Sequence, residues 1–258
     1  MTNKKDENIK VYVVFPIYKE KAIDSLIKKA LDYKKKNPTF DFVFVDDSCP
    51  YSHVHHDDIK KAGFTVLIHK KNKGKGAAVK TGVMYALTKP FDYIVFMDAD
   101  LSVSLEQLSQ LVTPLMNGYD MSFGSRRHVD SIINVAQQPT RQYSGVIFNQ
   151  ICQLLLFKGI KDSQCGFKGF SKRAAAILFE KLSTNRFCFD VELFILAYKE
   201  QLKIKSIPVK WVNDFNSSLS FFKDSMSMFL HLLRLKVLFK IWIPLHFKVN
   251  NISTDHKQ

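Results

Sequence analysis

Between residues 11 and 116, short β-branched runs alternate with stretches of helical spacing, and that alternation leaves few folds open. Val11–Ile17 is apolar and stops near Pro16, which predicts a buried strand. Asp41–Val45, Thr65–Ile68 and Tyr93–Met97 repeat the pattern. Residues 21–36 place Ala22, Leu26, Ala30 and Tyr33 at helical intervals, and Lys75–Leu87 and Leu105–Met116 are helical as well. Strands interleaved with helices predict an α/β fold with a mostly parallel central sheet covered by helices on both faces.

In such sheets, ligands bind outside the carboxyl ends of the strands. Two acidic pairs fall there: Asp46 and Asp47 after the second strand, Asp98 and Asp100 after the fourth. Acidic residues also suit ordinary turns, but two pairs at one mouth favour a site. Carboxylates at i and i+2 past a strand end can share a hard cation, Mg²⁺ or Mn²⁺, that bridges to substrate phosphates. Asn72-Lys73-Gly74-Lys75-Gly76-Ala77-Ala78 has the look of a phosphate loop. It lacks the Ser or Thr of a Walker loop and the third Gly of a dinucleotide fingerprint, which disfavours an NTPase or a dehydrogenase. Its plainer use is close packing at a helix start.

The second half is less regular. Residues 126–142, polar and carrying Arg126, Arg127, His128 and Arg141, are expected to form a long loop. A helix is expected over Leu154–Phe157, a Gly-containing segment over Asp162–Phe170, a helix over Asp190–Tyr198 and a strand over Ile204–Trp211. No linker divides residues 1–224, which are expected to form one catalytic domain, followed by a basic amphipathic helix and tail over 225–258.

The 258 residues carry a formal net charge of +14, which suits an anionic partner: nucleic acid, an acidic membrane surface or phosphorylated substrates. No nucleic-acid motif accompanies the lysines, so nucleic acid is not expected. Cys49, Cys152, Cys165 and Cys188 form no C-x-x-C pair, which argues against a zinc site and a disulfide framework. A polar N-terminus and the lack of a long uncharged apolar run predict a cytoplasmic protein.

Taken in order, Phe15-Pro16-Ile17-Tyr18-Lys19-Glu20, Val45-Asp46-Asp47-Ser48, the Gly74–Gly76 loop and Asp98-Ala99-Asp100-Leu101-Ser102 resemble the family 2 glycosyltransferases of the GT-A fold. Gly124-Ser125-Arg126, Asp162-Ser163-Gln164-Cys165-Gly166-Phe167-Lys168 and Phe189-Asp190-Val191-Glu192-Leu193 narrow the likeness to dolichyl-phosphate or polyprenyl-phosphate hexose synthases, the glucosyl-transferring branch above all. The resemblance spans residues 10 to about 235. It implies that Pro16, Tyr18 and Glu20 line a nucleotide pocket and that Asp46 holds the base or ribose. Asp47 and Lys75 join the donor-binding set, and Asp98 and Asp100 hold the metal and the diphosphate. Arg126 and Arg141 would grip an acceptor phosphate. Ser102 stands where some relatives carry a metal-contacting Gln, and Asn216-Ser217-Ser218 stands where many carry Gly-Ser-Lys.

The implied reaction is an inverting, metal-dependent transfer of a hexose from a nucleotide sugar to a lipid phosphate. Such a phosphate, with a second pKa of about 6, needs arginines more than a general base. A sugar hydroxyl as acceptor would need a base, for which Asp190 or Glu192 is the candidate. A non-catalytic nucleotide-binding or scaffold protein is the third possibility. On the C-terminal helix, expected over Ser225–Phe247, Met228, Leu232, Leu235, Phe239 and Trp242 share a face. That face suits a membrane interface, packing within the fold or an oligomer contact.

Overall fold

In the computed structural model, the residues described are 9–20, 22–50, 55–134, 139–212, 221–247 and 249; the side chains of 139–145 and 221–225 lie outside the description. The first half follows the expected order: β1 Val11–Ile17, α1 Ile23–Lys36, β2 Phe40–Asp46, α2 His56–Lys61, β3 Thr65–Ile68, α3 Lys75–Leu87, β4 Tyr93–Met97 and α4 Leu108–Met116. Helix α2 was not anticipated. In the second half come β5 Met121–Ser125, β6 Ile132–Ile133, α5 Pro139–Leu155, β7 Phe157–Lys158, β8 Phe167–Ser171, α6 Lys172–Lys181, α7 Phe189–Lys199, β9 Ile204–Pro208, β10 Lys210–Trp211, α8 Phe221–Leu238 and β11 Leu245–His246.

Among the described residues, a seven-stranded sheet runs β3-β2-β1-β4-β8-β5-β9. All its pairings are parallel except those of β8, which lies antiparallel between β4 and β5. Two apolar layers cover it. Leu26, Ile27 and Ala30 of α1 and Leu108, Leu111 and Val112 of α4 pack on one face. Ala78, Val79 and Val83 of α3 pack on the other, with residues of α6, α7 and α8. The strand order reverses between β1 and β4. Pro16 pairs with Val45 of β2, whereas the β1–β4 ladder ends at Val14. The missing proline N–H therefore falls where β1 and β4 have already parted, and a crevice opens at their carboxyl ends.

Several expectations need correcting. Residues 126–142 are not one loop: β6 pairs with β10 inside this stretch, and α5 begins at Pro139, so Arg141 stands on a helix. Phe157 is in a strand instead of a helix, and the expected strand over 204–211 is two strands, β9 and β10. The segment 162–170 contains a central strand, β8. The sequence hides it because Lys168 and Gly169 interrupt the apolar run.

The C-terminal helix ends at Leu238, well before Pro244. Leu232, Leu235 and, past the helix, Ile241 are buried in the same apolar layer as α3 and α7. Met228 and Phe239 pack against them. Of the three uses left open for this face, the structure shows packing within the fold, and Trp242 lies beyond the helix on the surface. None of the helices among the described residues is long and apolar enough to cross a membrane. The Asn216-Ser217-Ser218 stretch lies outside the described residues.

Truncating Leu232, which is 0% exposed, should cost about 2–5 kcal/mol. Leu230→Ala, on the other side of the helix, should cost under about 0.5 kcal/mol. Urea unfolding of the two variants checks this; equal small losses would mean that α8 does not pack as described.

Candidate active site

At the end of β2, two buried aspartates hold the local backbone. Asp46 accepts from the Cys49 N–H at 2.8 Å and lies 2.7 Å from His56 Nε2. Asp47 accepts from the N–H groups of Lys73 and Gly74 at 2.8 and 2.7 Å, and lies 2.7 Å from Nδ1 of the buried His69. The other ring nitrogen of His69 meets Thr81 Oγ1 at 2.8 Å. These bonds give Asp47 a bracing role in the glycine loop.

The loop also differs from a phosphate cradle. Gly74 N–H goes to Asp47 and Ala77 N–H to the Asn185 carbonyl, so these donors are already spent. Gly74 has φ 104°, and a Cβ there would sit 2.5 Å from the Asn185 oxygen. A Cβ on Gly76 would meet the Thr184 oxygen at 2.6 Å. The glycines let the start of α3 press against residues 184–189, and what the loop presents to the crevice is the Lys75 side chain.

Lys75 Nζ lies 2.5 Å from Asp98 Oδ1. Burial works against the Lys75 charge, but Asp98, Asp190 and Asp100 together outweigh it and hold its pKa above the usual lysine value. Burial pushes the Asp100 carboxyl up to about 6, and the adjacent Asp98 charge adds to this; the Ser102 N–H and Lys75 pull the other way. Asp100 Oδ1 accepts from the Ser102 N–H at 2.8 Å, and Leu101 between them takes φ 52°. Asp98 and Asp100 are thus paired carboxylates, with the Asp98 charge raising the cost of ionising Asp100. Oxygen donors arranged this way fit a hard divalent cation, which would relieve the repulsion. Asp24 on α1 also comes together with His55 and Asp58, at the start of and within α2.

The remaining parts are stitched on by the segment that leads into β8. Because β8 is antiparallel, Phe167 pairs with Met97 and the preceding residues lie at the mouth of the sheet. The Gly166 carbonyl accepts from the Asp98 N–H at 3.0 Å. The Asp98 carboxylate lies so close over Gly166 that a Cβ there would be 2.1 Å from Oδ2. Asp162 accepts from Arg126 Nε, from its terminal nitrogen and from its backbone N–H at 2.8, 2.8 and 2.9 Å. This fork fixes one edge of the guanidinium, stacks it 4.8 Å from the Trp211 ring and leaves further N–H donors on the opposite edge. Burial disfavours the Asp162 charge, but Arg126 outweighs it and holds its carboxyl below the usual range.

Lys168 is fully buried, 5.3 Å from the Phe96 ring. Its Nζ donates to the Cys165 carbonyl at 2.7 Å and to Asp190 Oδ1 at 2.5 Å. Asp190 sits in the first turn of α7, where the helix dipole favours its charge. Burial still raises its pKa, against the pull of Lys168 and Lys75. Glu192 accepts from the Ser183 and Thr184 N–H groups at 2.9 and 2.8 Å and from the Ser183 hydroxyl, which commits it to the loop before α7. The structure therefore gathers Lys75, Asp98, Asp100 and Asp190 into one charged cluster with Arg126 beside it. Tyr18 stands exposed past β1, and Glu20 Oε1 accepts from the Ala22 N–H at 3.1 Å. The Arg141 side chain lies outside the described residues. Lys168 is the residue that sequence reasoning missed. Its cue was a lone lysine between Phe167 and Phe170 in a glycine-punctuated run.

Lys168→Met should cost about 3–5 kcal/mol, because it strands a buried carboxylate. Adding Asp190→Asn should return much of that loss. A double-mutant cycle in urea measures the coupling; strictly additive losses would mean that the pair does not interact.

The profile of the family "Glycosyl transferase family 2" matches residues 12–179, well over half of the chain. A dolichyl-phosphate beta-glucosyltransferase of Dictyostelium discoideum is 30% identical over 256 residues, covering 92% of this chain and 77% of that protein. The protein of the same name from Homo sapiens is 30% identical, covering 89% and 76%. Among solved structures, glucosyl-3-phosphoglycerate synthase from Mycobacterium tuberculosis, in complex with Mn²⁺ and UDP-glucose, superposes with a TM-score of 0.65 at 16% identity, covering 95% of this chain and 85% of that one. That likeness concerns the fold, and it is the GT-A fold. With its crevice between β1 and β4 lined by paired carboxylates, and with a family profile that runs from β1 into α6, this chain belongs to glycosyl transferase family 2 and is a glycosyltransferase.

Proposed function

We propose that the protein transfers a hexose, glucose first, from a nucleotide sugar to a polyprenyl or dolichyl phosphate, with inversion at the anomeric carbon. The reaction would take place at the cytoplasmic face of a membrane, to which the protein binds peripherally. The observation that carries this reading is the Arg126–Asp162 fork beside the Lys75–Asp98–Asp100 cluster: a guanidinium fixed on one edge lies within electrostatic reach of Asp98. Relatives at about 30% identity named as dolichyl-phosphate beta-glucosyltransferases support the same acceptor.

Asp98 and Asp100 would hold Mg²⁺ or Mn²⁺, which when bound neutralises charge on the leaving diphosphate. Lys75 would add a second positive charge at the same oxygens. Pro16, Tyr18, Glu20 and Asp46, at the ends of β1 and β2, would hold the nucleoside. Arg126, with Arg141 from α5, would align the acceptor phosphate for in-line attack. Such a phosphate is already ionised near neutral pH, so no general base is required. A sugar hydroxyl would need one. The raised pKa of Asp190 is the observation on that side, but burial is its largest cause and Oδ1 is tied to Lys168. Asp190 is better suited to holding Lys75 charged.

Incubation with Mn²⁺, radiolabelled UDP-glucose and a polyprenyl phosphate should move label into an organic extract. Arg126→Ala should lower that transfer by about 100-fold or more. Label moving equally well to a free sugar, or full activity in Arg126→Ala, would overturn the lipid-phosphate reading. Below pH of about 6, Asp100 carries a proton that a cation must displace, so Mn²⁺ affinity measured by calorimetry with UDP present should fall as pH drops. Asp100→Asn should bind weakly at every pH; a pH-independent affinity in the wild type would remove Asp100 from the metal site.

A further inference from the structure

With the expected face of α8 buried, the opposite face carries an apolar stripe that the fold leaves uncovered. Met226, Leu230, Leu233 and Val237 follow one another at intervals of four, three and four residues, and all are exposed, Leu230 by 58% and Val237 by 71%. At about 100° per residue they form a single line. The same geometry sets Arg234 on one side of that line and Lys236 on the other. Beyond the helix, Trp242 and Ile243 continue the apolar surface at 80% and 76% exposure. On α5, which packs against α8, Ile147 and Leu154 are exposed as well.

We infer that this outer face of α8, with Trp242 and Ile243, docks onto an anionic lipid surface. Apolar side chains flanked by cations match the boundary between acyl chains and acidic headgroups, and an indole is suited to that depth. The net charge of +14 favours such a surface and opposes a second copy, which would bring like cations together. The surface also connects to the site. His231 of α8 meets Thr184 Oγ1 at 2.8 Å, and the next residue, Asn185, accepts from the Ala77 N–H at 3.0 Å at the start of α3. The middle of the docked helix is therefore tied, through residues 184–185, to the start of α3, where Lys75 stands. For its purpose, delivery of a lipid-borne phosphate, the inference rests on the proposed acceptor; its test does not.

The full chain is sedimented with vesicles of phosphatidylcholine alone or mixed with phosphatidylserine, at low and high salt. The wild type should bind the anionic vesicles, more weakly at high salt. Leu230→Glu and Val237→Glu should each lower that partitioning at least about tenfold. Their unfolding midpoints and their transfer to detergent-solubilised polyprenyl phosphate should be unchanged. Absence of wild-type binding to anionic vesicles, or equal binding by the variants, would overturn the inference. So would light scattering that shows a wild-type dimer broken by Leu230→Glu while vesicle binding persists, since the stripe would then belong to a second copy. Vesicle binding lost in the variants, with no lipid-phosphate transfer by the wild type, would uphold the docking surface and reject the acceptor.

Discussion

The antiparallel placement of β8 is the constraint on which the site depends. A parallel strand between β4 and β5 would start at the far edge of the sheet and carry its lead-in residues away from the crevice. Running the other way, β8 starts where β4 ends, with Phe167 opposite Met97. Residues 162–168 are thereby delivered to the mouth. There Asp162 fixes Arg126, the Gly166 carbonyl holds the Asp98 backbone, and Lys168 pairs with Asp190. One short segment touches three of the charged groups that define the site.

The chemistry follows from how these charges offset one another. Three carboxylates and Lys75 share a partly desolvated crevice, and burial alone would neutralise several of them. Lys168 and Lys75 both pull the Asp190 pKa down against burial, which still outweighs them. Asp100, less well compensated, is raised to about 6. A site in this state has one carboxylate poised to exchange a proton for a cation, which suits the binding of a metal–diphosphate pair. The arginine fork lies outside this exchange, fixed by its own aspartate.

Most of the alternation up to residue 116 could be read from periodicity, because β1, β2, β4, α1, α3 and α4 each bury an apolar run, whereas the short α2 buries only Ile59 and left no such pattern. The paired carboxylates at the mouth of the sheet were legible because Asp98 and Asp100 follow an apolar strand directly. Strand β8 was not, since its centre is Lys168-Gly169: the lysine is accommodated by a buried partner 22 residues away, and no local pattern announces that pairing. The roles of Asp47 and the glycine loop were blurred for a similar reason. A carboxylate at a strand end can brace a loop, and only the bonds to Lys73, Gly74 and His69 show that Asp47 does so. Helix α8 has apolar residues on both sides, so its period could not say which side faces the core.

The central claim is that the segment before β8 holds Asp98 in place for a cation. Gly166→Ala tests it most directly, because the added methyl would fall on the Asp98 carboxylate, a side chain that can swing away without disturbing the backbone. Mn²⁺ is titrated calorimetrically into wild type and variant with UDP present, alongside urea unfolding. The account predicts that affinity falls at least about tenfold while the unfolding midpoint stays nearly unchanged. Unaltered Mn²⁺ affinity in a folded Gly166→Ala protein would contradict it.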